Sequence, residues 1–309
     1  MRFEKLLFPF SCCVALWAGF TVFAGAMVTS TGSGMAVPDW PQSFGTWMPA
    51  MRGGVFFEHG HRMVAGVLAV LVVVLAVASA LWERRRWARG LTWAALVAVL
   101  AQAALGGLTV LRGTYFGWTH TDPIFSTAHA ALAQALLGLL VVYATVRAPG
   151  WEAHLQGADD KGKTLARMGV GLALLIYAQI IAGAVMRHEN GGLALLGFPL
   201  NSGRVIPAFT NYLVAVNFAH RMGGWLLVSL GTAFALRVAL DARLDAWVRR
   251  PAAVFAGVVV VQFGLGASVV LTRLEHPVLT SCHVLVGAAL FATSLVLALR
   301  LWAAGRGAR

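Results

Sequence analysis

Four histidines are the residues of this sequence best suited to chemistry, because they form two pairs that recur along the chain. His61 and His220 each precede an arginine, and His129 and His283 each follow a small two-residue segment. All four lie near the start of long apolar segments. An imidazole in such a segment is costly unless it has a partner. A hydrogen bond to a neighbouring helix would satisfy a single histidine, but recurrence in register favours a shared ligand-binding role.

The number of ligands indicates which metal group these histidines would hold. Zinc prefers four ligands from one cluster, whereas each half of the chain offers two recurring imidazoles with no thiolate or carboxylate pair beside them. Two imidazoles are suitable axial ligands for a heme iron. Small residues near the histidines leave clearance for a flat macrocycle, although in membrane helices they also permit close helix packing. These small residues are Gly60, Ala65, Gly66, Ala133, Gly223, Gly224 and Gly287.

One carboxyl group distinguishes the two predicted heme sites. Glu58 lies one helical turn before His61, and the corresponding residue before His220 is Asn217. Glu58 would share the face of His61, where it could move protons, orient water or hydrogen-bond the ligand, whereas an amide cannot titrate. The alternatives are a favourable charge at a helix N-terminus or an ion pair with a nearby arginine. The asymmetry predicts acid–base chemistry at the first site only.

Arg62 and Arg221 directly follow the first histidine of each pair. Each guanidinium could ion-pair with the carboxylate side arms of a heme, and anchoring at the membrane interface is the alternative. His59 is expected to point away from the site. The other histidines do not recur and are expected at solvated or interfacial positions; they are His120, His154, His188 and His276.

The elements that position these residues are predicted to be membrane-spanning helices. The chain has 309 residues, of which 59% are hydrophobic and 12% charged, and its mean hydropathy is +0.76. A soluble domain carries about twice that charged fraction. Eight apolar segments are each long enough to cross a bilayer. They are residues 9–30, 56–82, 91–111, 124–147, 167–187, 211–239, 252–272 and 278–302.

The basic residues indicate how these helices lie in the membrane. The chain carries 24 Lys and Arg against 12 Asp and Glu, a net charge of +12. Many basic residues fall at the termini and in the connectors after the second, fourth and sixth segments, for example Arg84, Lys163 and Arg249. Such segments are cytoplasmic, so we expect both termini inside a bacterial inner membrane and the four histidines toward the outer leaflet. This distribution argues against a nucleic-acid partner, which would need a basic face on a soluble module.

The chain is also predicted to contain two copies of a four-helix unit. Residues 21–28 match residues 179–186, and Gln102-x3-Gly106 matches Gln262-x3-Gly266. Each copy has an even number of crossings, so the copies would be parallel repeats, which is not the inverted arrangement common in transporters. The fold class we expect is therefore an all-α membrane protein, with eight transmembrane helices arranged as two parallel-repeat four-helix bundles.

Together these motifs resemble those of the heme A synthase family across almost the whole chain. The residues that carry the resemblance are Glu58-x-x-His61-Arg62, His129, Asn217-x-x-His220-Arg221, His283 and the loop 32–41. The resemblance implies an eight-helix oxidoreductase. Such an enzyme converts the C8 methyl group of heme O to a formyl group by successive hydroxylations, making heme A for terminal oxidases.

The resemblance also implies a role for each half. In residues 1–150, His61 and His129 would bind the substrate heme O, with Arg62 nearby and Glu58 as the catalytic carboxylate. In residues 151–309, His220 and His283, with Arg221, would bind a permanent heme b, so all four histidines would be iron ligands. Electrons would leave through heme b to an acceptor. Association with heme O synthase and a terminal oxidase is implied as well.

One feature departs from the family pattern, and two other functions remain open. Many members carry a cysteine pair in the first outer loop, but residues 38–45 here contain none, and Cys12, Cys13 and Cys282 all lie in apolar segments. No loop disulfide is therefore expected. The same four histidines would also suit a di-heme b-type cytochrome for quinol-linked electron transfer, or a scaffold that delivers heme unmodified.

Overall fold

The computed structural model describes residues 2–117, 121–155 and 160–304, so that His120 lies outside the described residues. Within these ranges the chain forms eight long helices, each long and apolar enough to cross a membrane. The all-α prediction is confirmed, and the chain is a multi-pass membrane protein. The helices are α1 (Arg2–Ser30), α2 (Gly54–Trp82), α3 (Arg86–Tyr115), α4 (Pro123–Arg147), α5 (Asp160–His188), α6 (Tyr212–Ala239), α7 (Ala246–Leu271) and α8 (Pro277–Ala304).

Several helices extend beyond the apolar segments predicted from sequence. The third segment was expected at 91–111, but α3 spans Arg86–Tyr115, and α5 begins at Asp160 and not at 167. Hydropathy detects only the part of a helix that matches the hydrocarbon core. The helical backbone continues into the interface, since helix hydrogen bonds satisfy the backbone polar groups there as they do in the hydrocarbon core.

Polar side chains cap the N-termini of α4, α6 and α7. Asp122 accepts hydrogen bonds from the amides of Ile124 and Phe125, which starts α4. Asn211 caps α6 in the same way, and Asp245 accepts from the Trp247 amide at the start of α7. Such caps satisfy backbone donors that the first helical turn leaves free. The caps of α4 and α6 therefore set the depth of His129 and His220.

The helices contact each other in two groups of four. In the first group α1 contacts α2 and α4, and α3 contacts α2 and α4; in the second, α5 contacts α6 and α8, and α7 contacts α6 and α8. The groups meet where α1 and α4 contact α8 and where α4 contacts α5. These contacts follow the division into residues 1–150 and 151–309. That division, the parallel orientation of the repeats and the cytoplasmic termini remain predictions.

The buried carboxylate of Glu83 lies at the C-terminal end of α2, opposite the end that carries His61. Glu83 accepts from Arg85 at 2.9 Å and from Arg147 at 3.0 Å, and Arg85 also binds the exposed Glu152 at 2.7 Å. Burial acts to raise the pKa of Glu83, but the hydrogen bonds and charges of Arg85 and Arg147 lower that pKa from 4.5 to about 2. Arg147 also donates to the carbonyl of Glu4 at 2.8 Å, so the cluster ties α1, α2 and α4 together.

We expect Glu83→Gln to lower the free energy of unfolding by about 2–3 kcal/mol, because two half-buried guanidinium groups lose their carboxylate. Since folding lowers the pKa of Glu83, its contribution is present above the ordinary pKa of 4.5 and is lost as the pH falls toward about 2. Thermal unfolding in detergent, followed by circular dichroism near neutral pH and near pH 3, measures both effects. Glu152→Gln is the matched control, and an equal loss in that variant would contradict the prediction.

Candidate functional site

The imidazoles of the first histidine in each pair pack against a glycine of the preceding helix. A Cβ atom placed on Gly25 of α1 would lie 3.0 Å from Cε1 of His61, and one on Gly183 of α5 would lie 2.8 Å from Cε1 of His220. Real Cβ contacts are rarely this short, so any larger residue would displace the ring. The α1–α2 and α5–α6 contacts therefore set the position of these two imidazoles.

The second histidine of each pair has the same arrangement. A Cβ atom on Gly106 of α3 would lie 3.0 Å from Cε1 of His129, and one on Gly266 of α7 would lie 2.9 Å from Cε1 of His283. Sequence reasoning identified small residues on the same helices as the histidines and missed these glycines across the helix interface. Their recurrence at matching places in the duplication was the signal that could have identified them.

The structure brings the four histidines together as two pairs. His61 lies close to His129, and His220 lies close to His283. All four rings are half-buried. The Nδ1 atoms of His61, His129 and His283 are buried and have no hydrogen-bond partner among the described residues. Polar ring atoms left without partners in membrane-spanning helices fit a ligand that binds the imidazoles.

No group of three or more His, Cys, Asp and Glu side chains that could hold a metal ion occurs in the described part of the chain. A metal here would therefore depend on pairs of imidazoles and on further ligands from a bound group. Two imidazoles from separate helices match the axial ligands of a heme iron. The chemistry of the donor set thus fits a heme in each half.

Glutamines support three of the four histidines. Gln102 donates to the carbonyl of His129 at 2.9 Å, and Gln179 donates to the carbonyl of His220 at 2.6 Å. Nε2 of Gln262 lies 3.5 Å from Nε2 of His283. The matching residue on α1 is Thr21, whose hydroxyl donates to the carbonyl of Trp17 at 2.9 Å. His61, which lies one turn from Glu58, is therefore the member of the two pairs that has no glutamine partner among the described residues.

Glu58 is buried on α2 and accepts hydrogen bonds at both carboxylate oxygens. Oε1 accepts from Arg62 at 2.6 Å, and Oε2 accepts from the amide of Val37 at 2.9 Å. Asn217, at the matching place on α6, donates to the carbonyls of Gly191 and Gly192 at 2.8 and 3.0 Å. Both residues therefore bind the loop of their own half, but only Glu58 can exchange a proton.

The two arginines hold the loops that precede α2 and α6. The Arg62 guanidinium donates to the carbonyls of Asp39 at 2.7 Å and Gln42 at 2.8 Å, in addition to Glu58. The Arg221 guanidinium donates to the carbonyls of Leu195 at 2.5 Å and Gly197 at 2.8 Å. These contacts account for much of the donor capacity of both side chains. Ion pairing with heme carboxylates stays a prediction.

The first loop is further fixed by its own polar groups. Asp39 accepts from the amides of Phe44 at 2.7 Å and Gly45 at 2.8 Å. The hydrogen bond from Gly45 is the main cause that lowers the pKa of Asp39, with further help from Phe44 and the charge of Arg62. The loop also contacts His59, a buried residue whose Nδ1 lies 2.8 Å from the hydroxyl of Ser43.

A polar connection that the sequence did not reveal joins the two halves near both pairs. Arg187, near the end of α5, donates to the carbonyl of Ala26 at 2.6 Å and to the hydroxyl of Ser30 at 2.7 Å. Ser30 in turn shares a hydrogen bond with Ser281 of α8, with 3.0 Å between their oxygens. Ala26 follows the glycine that contacts His61. Ser281 precedes the histidine of α8 by two residues, so the connection runs from one site to the other.

The remaining histidines lie outside the two pairs. His154 stacks on Trp247 at 4.0 Å between ring centroids and lies 2.7 Å from the carboxylate of Asp245. His276 is exposed at the start of α8, and His188 is half-buried at the end of α5. His188, which was expected at a solvated or interfacial position, lies close to His129 of the first pair.

The fold and the site define a class of protein: an eight-helix membrane protein with two pairs of histidines, one of which has a buried acid beside it. Residues 51–295 match the family model COX15-CtaA, described as cytochrome oxidase assembly protein. The chain belongs to this family, as the sequence motifs predicted.

Several curated relatives carry the name heme A synthase. The chain is 30% identical to the one from Halalkalibacterium halodurans over 275 residues, which cover 87% of this chain and 88% of the relative. It is 32% identical to the one from Symbiobacterium thermophilum over 224 residues, 68% of each chain. The relative from Alkalihalophilus pseudofirmus is 26% identical over 238 residues, which cover 73% of this chain and 74% of the relative.

Proposed function

We propose that this protein is an oxidoreductase that converts the C8 methyl group of heme O to a formyl group, producing heme A. The observation that carries the proposal is the asymmetry of the two histidine pairs: buried Glu58 accompanies the first, and Asn217 stands in its place in the second. Relatives named heme A synthase cover most of the chain and support the same activity.

In the proposed enzyme the first pair binds the substrate and the second pair a resident cofactor. His61 and His129 would hold heme O, and His220 and His283 would hold heme b. The unpartnered imidazole nitrogens and the glycine contacts support this assignment. A heme b bound to the second pair would supply one-electron transfer away from the reaction. The electron acceptor would be a separate partner.

Glu58 is the group proposed to take up protons at the first site, where both imidazoles would be bound to the heme. A hydroxylation that takes its oxygen from water and passes two electrons to the resident cofactor would release two protons, and a carboxylate held next to the substrate is suited to accept them. The hydrogen bonds from Arg62 and the Val37 amide fix its oxygens in place. The same bonds tie the first loop to α2 one turn from His61.

The proposed setting follows from the topology and the reaction. We place the protein in a bacterial inner membrane, with both heme sites toward the outer leaflet, because the basic connectors favour the cytoplasmic side. Heme O synthase would supply the substrate, and a terminal oxidase would receive the product. Both are proposed partners.

Analysis of bound pigments tests the proposed reaction against a di-heme cytochrome and a heme-delivery scaffold. The protein is expressed in a host that makes heme O but not heme A, and the extracted pigments are identified by mass. The proposal predicts hydroxylated and formylated derivatives of heme O. Recovery of heme B and unmodified heme O alone would contradict it, since the two other functions leave the macrocycle unchanged.

Gly25→Val is expected to weaken heme binding at the first pair by about tenfold or more, because the added side chain would occupy the space of the His61 ring. The reduced absorbance spectrum should lose the contribution of the first site and keep that of the second. Gly19→Val on the same helix is the control, since nothing lies within 4 Å of its Cβ position. Unchanged spectra in the Gly25 variant would show that the packing does not position the ring.

A further inference from the structure

The second half contains a cluster of three aromatic rings beside its histidine pair. Phe198, from the loop before α6, stacks on Trp225 of α6 with 5.8 Å between ring centroids and 6° between ring planes. Phe263 of α7 meets Trp225 edge-on at 4.5 Å and Phe198 edge-on at 5.9 Å. The rings therefore fill the space between α6, α7 and the loop.

The duplication places small residues at the matching positions of the first half. Trp225 follows its histidine by five residues, and Gly66 follows His61 by five. Phe263 directly follows Gln262, and Ala103 directly follows the corresponding Gln102. Gly66 and Ala103 are both exposed, and nothing lies within 4 Å of a Cβ atom placed on Gly66.

The loop residue of the first half also takes a different position. Trp40 matches Phe198, since each directly precedes a proline of its loop. Trp40 lies against Gly107 of α3, where an added Cβ atom would be 2.9 Å from Cδ2 of the indole. Both matching positions of the first half carry small, exposed residues, so the space that Trp225 and Phe263 fill in the second half is left open along α2 and α3. We call this space, bounded by Gly66 and Ala103, the α2–α3 notch.

The notch lies next to the first histidine pair. Ala103 is three residues before Gly106, the residue that contacts His129, and Gly66 is about a turn and a half beyond His61 on α2. Its surroundings are apolar, since Val67 and Val70 are exposed on the same stretch of α2. An apolar chain attached to a group held by the histidines could leave the helix bundle here and reach the lipid.

We propose that the α2–α3 notch admits the isoprenoid chain of heme O, and that the aromatic cluster closes the matching space in the second half. This inference rests on the proposed function. Heme O differs from heme b by a long apolar side chain, which gains free energy wherever it is removed from water. The notch thus makes the first pair selective for the substrate. The cluster reserves the second pair for a heme without that chain.

The test fills the notch with the residues of the second half. Gly66→Trp, Ala103→Phe and the double variant are purified from a host that makes both heme B and heme O, and each bound pigment is quantified by mass. Heme O and its oxidised derivatives are counted together. Their content in the double variant should fall by about tenfold relative to heme B, since the apolar chain loses its place. Val77→Trp, at an exposed apolar position of α2 about three turns beyond Gly66, is the matched control and should keep the wild-type ratio.

The reverse change gives a result that a folding defect could not imitate. Trp225→Gly combined with Phe263→Ala opens the cluster and should raise the heme O content of the protein above that of the wild type. An unchanged ratio in both double variants would overturn the inference, as would wild-type protein that retains neither heme O nor any of its oxidised derivatives. If the wild type binds heme O without oxidising it, the proposed reaction fails, yet the ratios still decide whether the notch selects the chain.

Discussion

Glu58→Gln is expected to reduce heme A formation by at least about 100-fold while both histidine pairs still bind heme. The amide is nearly the same size and can still accept from the Val37 amide, but it cannot take up a proton as the carboxylate can. The measurement is the heme A content of membranes from a host that supplies heme O. The heme spectrum of the purified variant, recorded in parallel, reports whether the sites remain loaded.

Two comparisons separate a catalytic role of Glu58 from its role in holding the loop. Glu83→Gln removes a second buried carboxylate, at the opposite end of α2, and should lower stability while heme A is still formed at a permissive temperature. Glu58→Asp keeps a carboxylate and should retain part of the activity. If Glu58→Gln kept wild-type output, or lost its heme altogether, the proposed proton transfer at this residue would be wrong.

His283→Ala is expected to remove the resident heme from the second half and to lower heme A output by more than about tenfold. Loss of the hydrogen-bonding partners of a metal ligand lowers activity by about 10- to 100-fold, and loss of the ligand itself should lower it at least as much. The first pair should continue to hold heme O, which then accumulates unmodified. Absorbance of the reduced protein and pigment extraction give the two readouts.

His276→Ala is the matched control for this variant, because His276 is exposed at the start of the same helix and belongs to neither pair. It should leave the heme content and the heme A output unchanged. Full heme A output from His283→Ala would contradict the assignment of the second pair as an electron-transfer site.

The membrane helices and the paired histidines could be predicted from sequence because both leave local patterns. Apolar segments of sufficient length identified all eight helices, and the recurrence of His61 and His220 in register singled them out from the other histidines. The family was also predicted correctly from these motifs. Each of these signals lies within one stretch of chain or repeats with a fixed offset.

Contacts between helices were not predictable in the same way. Gly25 is one of many glycines in the sequence, and only the packing of α1 on α2 shows that it limits the position of His61. Arg62 directly follows that histidine, which favoured a heme carboxylate as its partner. In the structure its guanidinium binds loop carbonyls that are distant in sequence. Such partners depend on loop geometry that neither hydropathy nor motif spacing encodes.

The bond from Arg187 to α1 has a consequence for the order of assembly. A chain is synthesised from its N-terminus, so the first four helices emerge before α5, which carries Arg187. The carbonyl of Ala26 and the hydroxyl of Ser30 therefore gain this donor only when α5 arrives, and Ser281 joins them with α8. The N-terminal half is thus completed by the half that follows it, and biogenesis of the first site ends only with insertion of the last helix.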